Sequence, residues 1–160
     1  MASVPYAQVA GFVEDFAGTM VAAGVPRMPA RVFAALLISD EGRLTSADLC
    51  ERLGVSAGAV SGAVAYLAQV DLVHRVRPAG SRRDQYVVDT DVWQEVTLSQ
   101  AAVLGRWVAQ MEAGLALVAD DSPAAERLRR SKDFFTFIDE EVAGLKERWE
   151  ARRASWSGSV

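Results

Sequence analysis

The feature that most restricts the fold lies between Thr45 and Gln69, where two short segments of helical character are separated by almost nothing. Thr45 followed three residues later by Asp48 has the form of a capping box. Leu49 and Leu53 then line one face of a helix of about two turns, which Gly54 closes. Ser56 is a good N-cap for a second helix, so only Gly54 and Val55 are left for the connection. A short helix, a tight glycine-containing turn and a second helix form a helix-turn-helix arrangement.

A helical wheel centred on Val60 places Ala63, Val64 and Leu67 on the inward side. Gly58, Ser61, Gly62, Ala65 and Gln69 fall outward, with Tyr66 at the margin. Glycine in a helix interior costs about 1 kcal/mol relative to alanine, so two of them call for compensation by close approach of another backbone. That backbone could belong to a neighbouring helix or to a partner outside the chain. After Asp71, Leu72–Arg77 alternates, with Leu72, His74 and Val76 on one side and Val73, Arg75 and Arg77 on the other. Pro78–Ser81 then turns, and Gln85–Val88 returns as a second strand. From His74 to Arg83 there are four arginines, Arg75, Arg77, Arg82 and Arg83, and no carboxylate, and all four are candidate DNA-binding residues. A basic hairpin placed directly after the second helix makes the unit a winged helix, with Arg82 and Arg83 at the tip, in reach of phosphates or a minor groove.

The flanking segments read as helices. Val9, Phe12, Val13, Phe16 and Met20 form one stripe from about Ala7 to Ala23, and Val32, Phe33, Leu36 and Leu37 form the face of another helix that begins near Pro29 and is broken by Asp40–Gly42. From Asp91, apolar residues from Trp93 to Val118 predict one long helix of about 28 residues, roughly 40 Å. Ser122 caps and Pro123 opens a last helix, in which Leu128, Phe135, Ile138, Val142, Leu145 and Trp149 make a coiled-coil-like seam widened by Phe134 and Phe137. The expected fold is mainly α with a small β-hairpin wing: a dimerisation helix over 1–24, a winged helix-turn-helix lobe over 25–90, and long dimerisation helices over 91–160. One apolar stripe per helix would suffice for a single core, so the surplus predicts a homodimer joined through Phe135, Ile138, Val142, Leu145 and Trp149.

Composition excludes other classes. The chain is 51% hydrophobic and 24% charged, ordinary values for a folded water-soluble domain. One cysteine, Cys50, and one histidine, His74, leave too few ligands for a transition-metal site or a disulfide scaffold, and no cofactor is expected. Cys50 reads as a small buried or half-buried residue in preference to a redox sensor. No nucleophile–base motif appears, so neither an enzyme nor catalytic residues are expected. Leu53–Val70 is uncharged but rich in Ala, Gly and Ser, a poor membrane span; with no secretory signal at the start, the cytoplasm is the expected compartment. The net charge of −4 means that affinity for a polyanion must come from the local arginine patch.

The run Thr45–Leu67, with Leu72-Val-His-Arg-Val-Arg-Pro and Gly80-Ser-Arg-Arg-Asp-Gln-Tyr, resembles the MarR superfamily of bacterial transcriptional regulators, and the latter segment resembles its GbsR-like branch. The resemblance is specific across Thr45–Val88 and architectural elsewhere. It implies a dimer, built by the first and last helices, that reads palindromic double-stranded DNA. It also implies groove-facing roles for Ser56, Gly58, Ser61 and Gly62, a phosphate contact for Tyr66, and wing contacts for Arg82 and Arg83. The outward helix face departs from strong readers in lacking Arg, Asn and Glu, so DNA shape and dimer spacing should carry much of the preference.

Members of the family often respond to small molecules. Phe12, Phe16, Met20, Trp93 and Trp107 are candidate walls for a hydrophobic or cationic effector, although aromatic stripes at helical spacing more often serve packing. The alternative reading is a winged-helix protein-interaction module that uses the same small-residue face without sequence-specific DNA binding.

Overall fold

Phe33, Leu36, Leu49 and Leu67, all fully buried, come from three different helices and mark the centre of the first half of the chain. The computed structural model describes residues 5–99 and 101–157, and the chain divides into two units between Val96 and Thr97. In the first unit α1 (Tyr6–Ala22) buries Val13, Ala17 and Met20, and Gly24, at φ 97°, ends it in a left-handed turn. The helix α2 (Arg27–Leu37) carries Pro29 in its first turn and packs against both α1 and α4. It is joined to its neighbours by Arg31, whose Nε donates to Glu14 on α1 at 2.6 Å and whose Nη2 donates to the Leu53 carbonyl at 3.3 Å.

The next elements are β1 (Arg43–Thr45), α3 (Ser46–Leu53), α4 (Ala57–Gln69), β2 (His74–Val76) and β3 (Gln85–Val87). The strands form one antiparallel sheet in the order β1-β3-β2. Strand β1 was not expected, since Asp40–Gly42 reads only as a break. Three residues with one buried apolar side chain, Leu44, carry too little periodicity to signal a strand whose partner lies some forty residues away. Gly42, at φ 64°, makes the entry possible. Its carbonyl accepts from the Val88 N–H at 2.8 Å, and a Cβ there would lie 2.9 Å from the Val88 carbonyl oxygen.

The expected alternation of Leu72–Arg77 is also corrected. Leu72 and Val73 are both buried and precede the strand, whereas all three residues of β2 are exposed, because β2 is an edge strand standing away from the core.

The long helix expected from Asp91 corresponds to α5 (Val92–Ser99) and α6 (Ala101–Leu115), with residue 100 outside the described residues. It ends at Leu115, short of Val118. Val92 is buried in the first unit, and Trp93 meets Phe33 edge-on at 5.3 Å between ring centroids.

In the second unit α6 pairs with α7 (Pro123–Ser157). Ser122 accepts from the Ala125 N–H at 3.1 Å and caps α7, and Ala125 is the one fully buried residue among the described residues of this unit. Trp107 meets Phe135 at 4.9 Å, Lys132 pairs with Glu112 at 3.2 Å, and a Cβ on Gly114 would lie 3.2 Å from Leu128. In this antiparallel register α6 has run out by about residue 142, while α7, with 35 residues, continues to Ser157.

One stability prediction arises from the junction of β1 and α3. Thr45 caps α3 reciprocally: its Oγ1 accepts from the Asp48 N–H at 3.2 Å, and its own N–H donates to the Asp48 carboxylate at 2.8 Å. Thr45→Ala is expected to lower unfolding free energy by about 1 kcal/mol in a denaturant titration; an unchanged midpoint would show the cap to be idle.

Candidate nucleic-acid interface

The turn between α3 and α4 is built from three local devices. Gly54 takes the left-handed conformation at φ 65°, the Val55 N–H returns to the Cys50 carbonyl at 3.1 Å, and the Ser56 side chain accepts from the Ala59 N–H at 3.3 Å. These fix the direction in which α4 leaves. Val60, Ala63, Val64 and Leu67 are then buried, whereas Ser56, Gly58, Ser61, Gly62, Ala65 and Gln69 are exposed and Tyr66 is half-buried against the core. A Cβ on Gly62 would meet nothing within 4 Å, and one on Gly58 only the Ser56 Oγ at 3.9 Å. No helix of the described chain requires these glycines, so the compensation expected for them is not found within the fold.

The hairpin stands in the same unit. Pairing of His74 with Val87, Arg75 with Tyr86 and Val76 with Gln85 brings Arg77 opposite Asp84. Asp84 takes both guanidinium groups: Arg77 Nε donates at 2.7 Å and Arg75 Nη2 donates to the second carboxylate oxygen. The bonds from Arg77 and Arg75 hold the Asp84 carboxyl down to about 2. Because folding lowers this carboxyl from an ordinary value of about 4, the stabilisation it gives is in place above that value and is lost as the pH falls towards 2. Sequence reasoning missed Asp84. The signal was its position immediately after the arginine run, opposite Arg77 once the hairpin register is drawn.

Arg82 and Arg83 are exposed, and among the described residues neither forms an ion pair. Ser81 orders this segment, accepting from the Arg83 N–H at 3.0 Å while its hydroxyl donates to the Arg83 carbonyl. Arg83 lies beside the start of α3, sharing a shallow depression with Thr45, Ser46, Ala47, Asp84 and Tyr86. The hydrogen bonds from the Thr45 side chain and N–H lower the Asp48 carboxyl, and the nearby charges of Arg52 and Arg83 add to this. At the base of the hairpin His74 Nδ1 lies 2.9 Å from Asp89.

The five candidate effector residues are not all brought together. Phe12 stacks on Phe16 at 5.5 Å and Phe16 meets Trp93 edge-on at 6.3 Å, while Met20 is buried in the core of the first unit and Trp107 packs on Phe135 in the second. Of the seam residues, Phe135, Ile138, Val142 and Trp149 are half-buried and Leu145 is exposed; Phe134 and Phe137 are more than half exposed beside them. Cys50 is half-buried and free. Among the described residues, no His, Cys, Asp and Glu side chains cluster as a metal site, and no helix is long and apolar enough to cross a membrane.

Residues 23–84 match the model of the MarR family, and residues 91–152 match that of the MmpR5-like MarR family transcriptional regulators. The chain belongs to the MarR family. This MarR-family protein is therefore a DNA-binding transcriptional regulator, and the helices beyond its winged-helix lobe match a MarR-type model as well. Its fold is shared with a transcriptional regulator of known crystal structure, 23% identical, at a TM-score of 0.76 over 90% of this chain and 99% of that one. Similarity extends to Sco3205, a MarR family transcriptional regulator from Streptomyces coelicolor solved in complex with DNA (24% identity, 86% of each chain, TM-score 0.43). It extends also to the adhesin competence repressor AdcR from Streptococcus pyogenes (18% identity, 84% of this chain and 95% of that one, TM-score 0.39). No curated protein matches the sequence.

Proposed function

We propose that this MarR-family regulator acts in the cytoplasm as a homodimeric repressor that reads a palindromic operator, with α4 in successive major grooves and the wing against the flanking phosphates or minor groove. The observation that carries this reading is the exposed face of Gly58, Ser61 and Gly62, whose glycines cost helix stability without making room for any other helix among the described residues, in the same unit as Arg82 and Arg83, which form no ion pair among the described residues. Ser56 serves as a cap as well as a groove-facing residue, and Tyr66 is assigned a phosphate. The Gly80–Tyr86 wing sequence supports placement near the GbsR-like branch. The reading assigns the chain no catalytic step.

Selection of bound fragments from the host genome tests the proposal directly. Enrichment of inverted repeats whose half-sites lie about one helical turn apart is expected. Recovery of no preferred sequence, together with capture of a protein partner on the α4 face, would replace the regulator with an interaction module.

For the dimer, the support is the exposed apolar surface of α7, where Phe134 and Phe137 are 58% and 57% exposed, and the stretch of α7 beyond the reach of α6. Phe137→Glu combined with Leu145→Glu is expected to halve the mass measured by light scattering; a wild-type dimer mass in that variant would move the interface elsewhere. For an effector, the Phe12–Phe16–Trp93 cluster supports an aromatic wall for a hydrophobic or cationic molecule.

A further inference from the structure

Two of the four wing arginines are already bound within the fold. Arg75 and Arg77 converge on one carboxylate, that of Asp84, which reaches them from the opposite strand, and Arg82 and Arg83 stand outside this arrangement. The side chain of Asp84 is 19% exposed, whereas those of Arg75 and Arg77 are 60% and 62% exposed, so the acid is screened by the two cations it holds. The arrangement has the geometry of an anion site occupied from within: two guanidinium groups two residues apart, one on β2 and one just past its end, bound to two oxygens of a single group. A backbone phosphate would present the same pair of oxygens to the same donors.

We propose that Asp84 is a built-in phosphate surrogate, a positioning residue that withholds Arg75 and Arg77 from the DNA backbone so that the wing engages phosphate through Arg82 and Arg83 alone. The consequence is for selectivity. Every cation that touches phosphate raises affinity for all sequences alike, through counterion release, and does nothing to separate operator from bulk DNA. On a reading helix without strong base-contacting side chains, four free wing arginines would let non-specific affinity overtake the small sequence-dependent part. Holding two of them back keeps that ratio open.

The inference rests on the DNA-binding role of the wing, and the test separates the two. Full-length protein is titrated with a short mixed-sequence DNA duplex across a series of salt concentrations, as wild type, Asp84→Asn, and Arg75→Gln with Arg77→Gln. Asp84→Asn is expected to bind this duplex more tightly, with a salt slope steeper by about one to two units per subunit. The glutamine pair, with Asp84 in place, is expected to keep the wild-type slope because the guanidinium groups it removes make no phosphate contact in the wild type. A slope that falls in the glutamine pair, or that does not steepen in Asp84→Asn while its thermal unfolding stays cooperative, would overturn the proposal, since the arginines would then be contacting phosphate in the wild type or remain out of reach when freed. Wild-type protein that fails to bind any duplex would instead overturn the role of the wing itself. Restoring the wild-type slope by adding the two glutamine substitutions to Asp84→Asn would tie the gain to these two guanidinium groups.

Discussion

Replacing Arg82 and Arg83 together by alanine is expected to weaken binding to every DNA sequence and to flatten its salt dependence by about one to two units of slope per subunit. The two side chains are the wing cations without an ion-pair partner among the described residues, and the Ser81 hydroxyl orders the backbone that carries them. Their loss costs the fold little, because both are exposed. The affinity lost should be on the order of tenfold or more at moderate salt, and the preference for operator over random duplex should change much less than either affinity. Mobility shifts at several salt concentrations measure both quantities. Affinity and slope left as in the wild type would remove the wing from the interface.

The second large effect runs in opposite directions for stability and for binding. Gly62 sits in the interior of α4, where alanine would raise helix stability by about 1 kcal/mol, and its missing side chain would enter open space. Gly62→Ala should therefore unfold at a temperature higher by about 2–4 °C and bind operator less tightly. Gly62→Leu should retain the stability and lose far more affinity. Overfilling a closely packed contact costs about 1–3 kcal/mol, a factor of roughly ten to a hundred in affinity. A stabilised Gly62→Leu protein that binds operator like the wild type would show that α4 does not approach DNA along this face. Ordinary loss of folding could not imitate the expected result, because the two readouts move apart.

What the amino-acid order discloses here depends on how far apart the interacting residues lie. The α3–α4 turn is legible because all of its determinants, Thr45, Asp48, Gly54 and Ser56, act within three or four residues of one another, each through a bond the residue type advertises. The two faces of α4 are legible for the same reason, since periodicity is local. Strand β1 is not legible, because Arg43–Thr45 becomes a strand only through its pairing with Gln85–Val87. The burial of Leu72 and Val73 side by side is likewise a matter of where the core lies, which alternation along one strand cannot express. The candidate site divides in the same way. Its glycines and arginines stand out by composition, whereas Asp84 acquires its role only when the hairpin register sets it across from Arg77. The aromatic stripes fall between these cases: helical spacing marks them as facing something, but Met20 and Phe12 look alike in sequence and end up inside and outside the core.

The junction at Thr45 has a mechanical consequence. This one residue pairs with Gln85 as the last position of β1 and opens α3 as its cap, so sheet passes into helix with no slack between them. Finger and palm are in effect cast as a single caliper. A duplex whose two grooves are offset from the spacing of that caliper cannot be gripped by one jaw without straining the other, and the regulator should accordingly discriminate among base steps that none of its side chains reach.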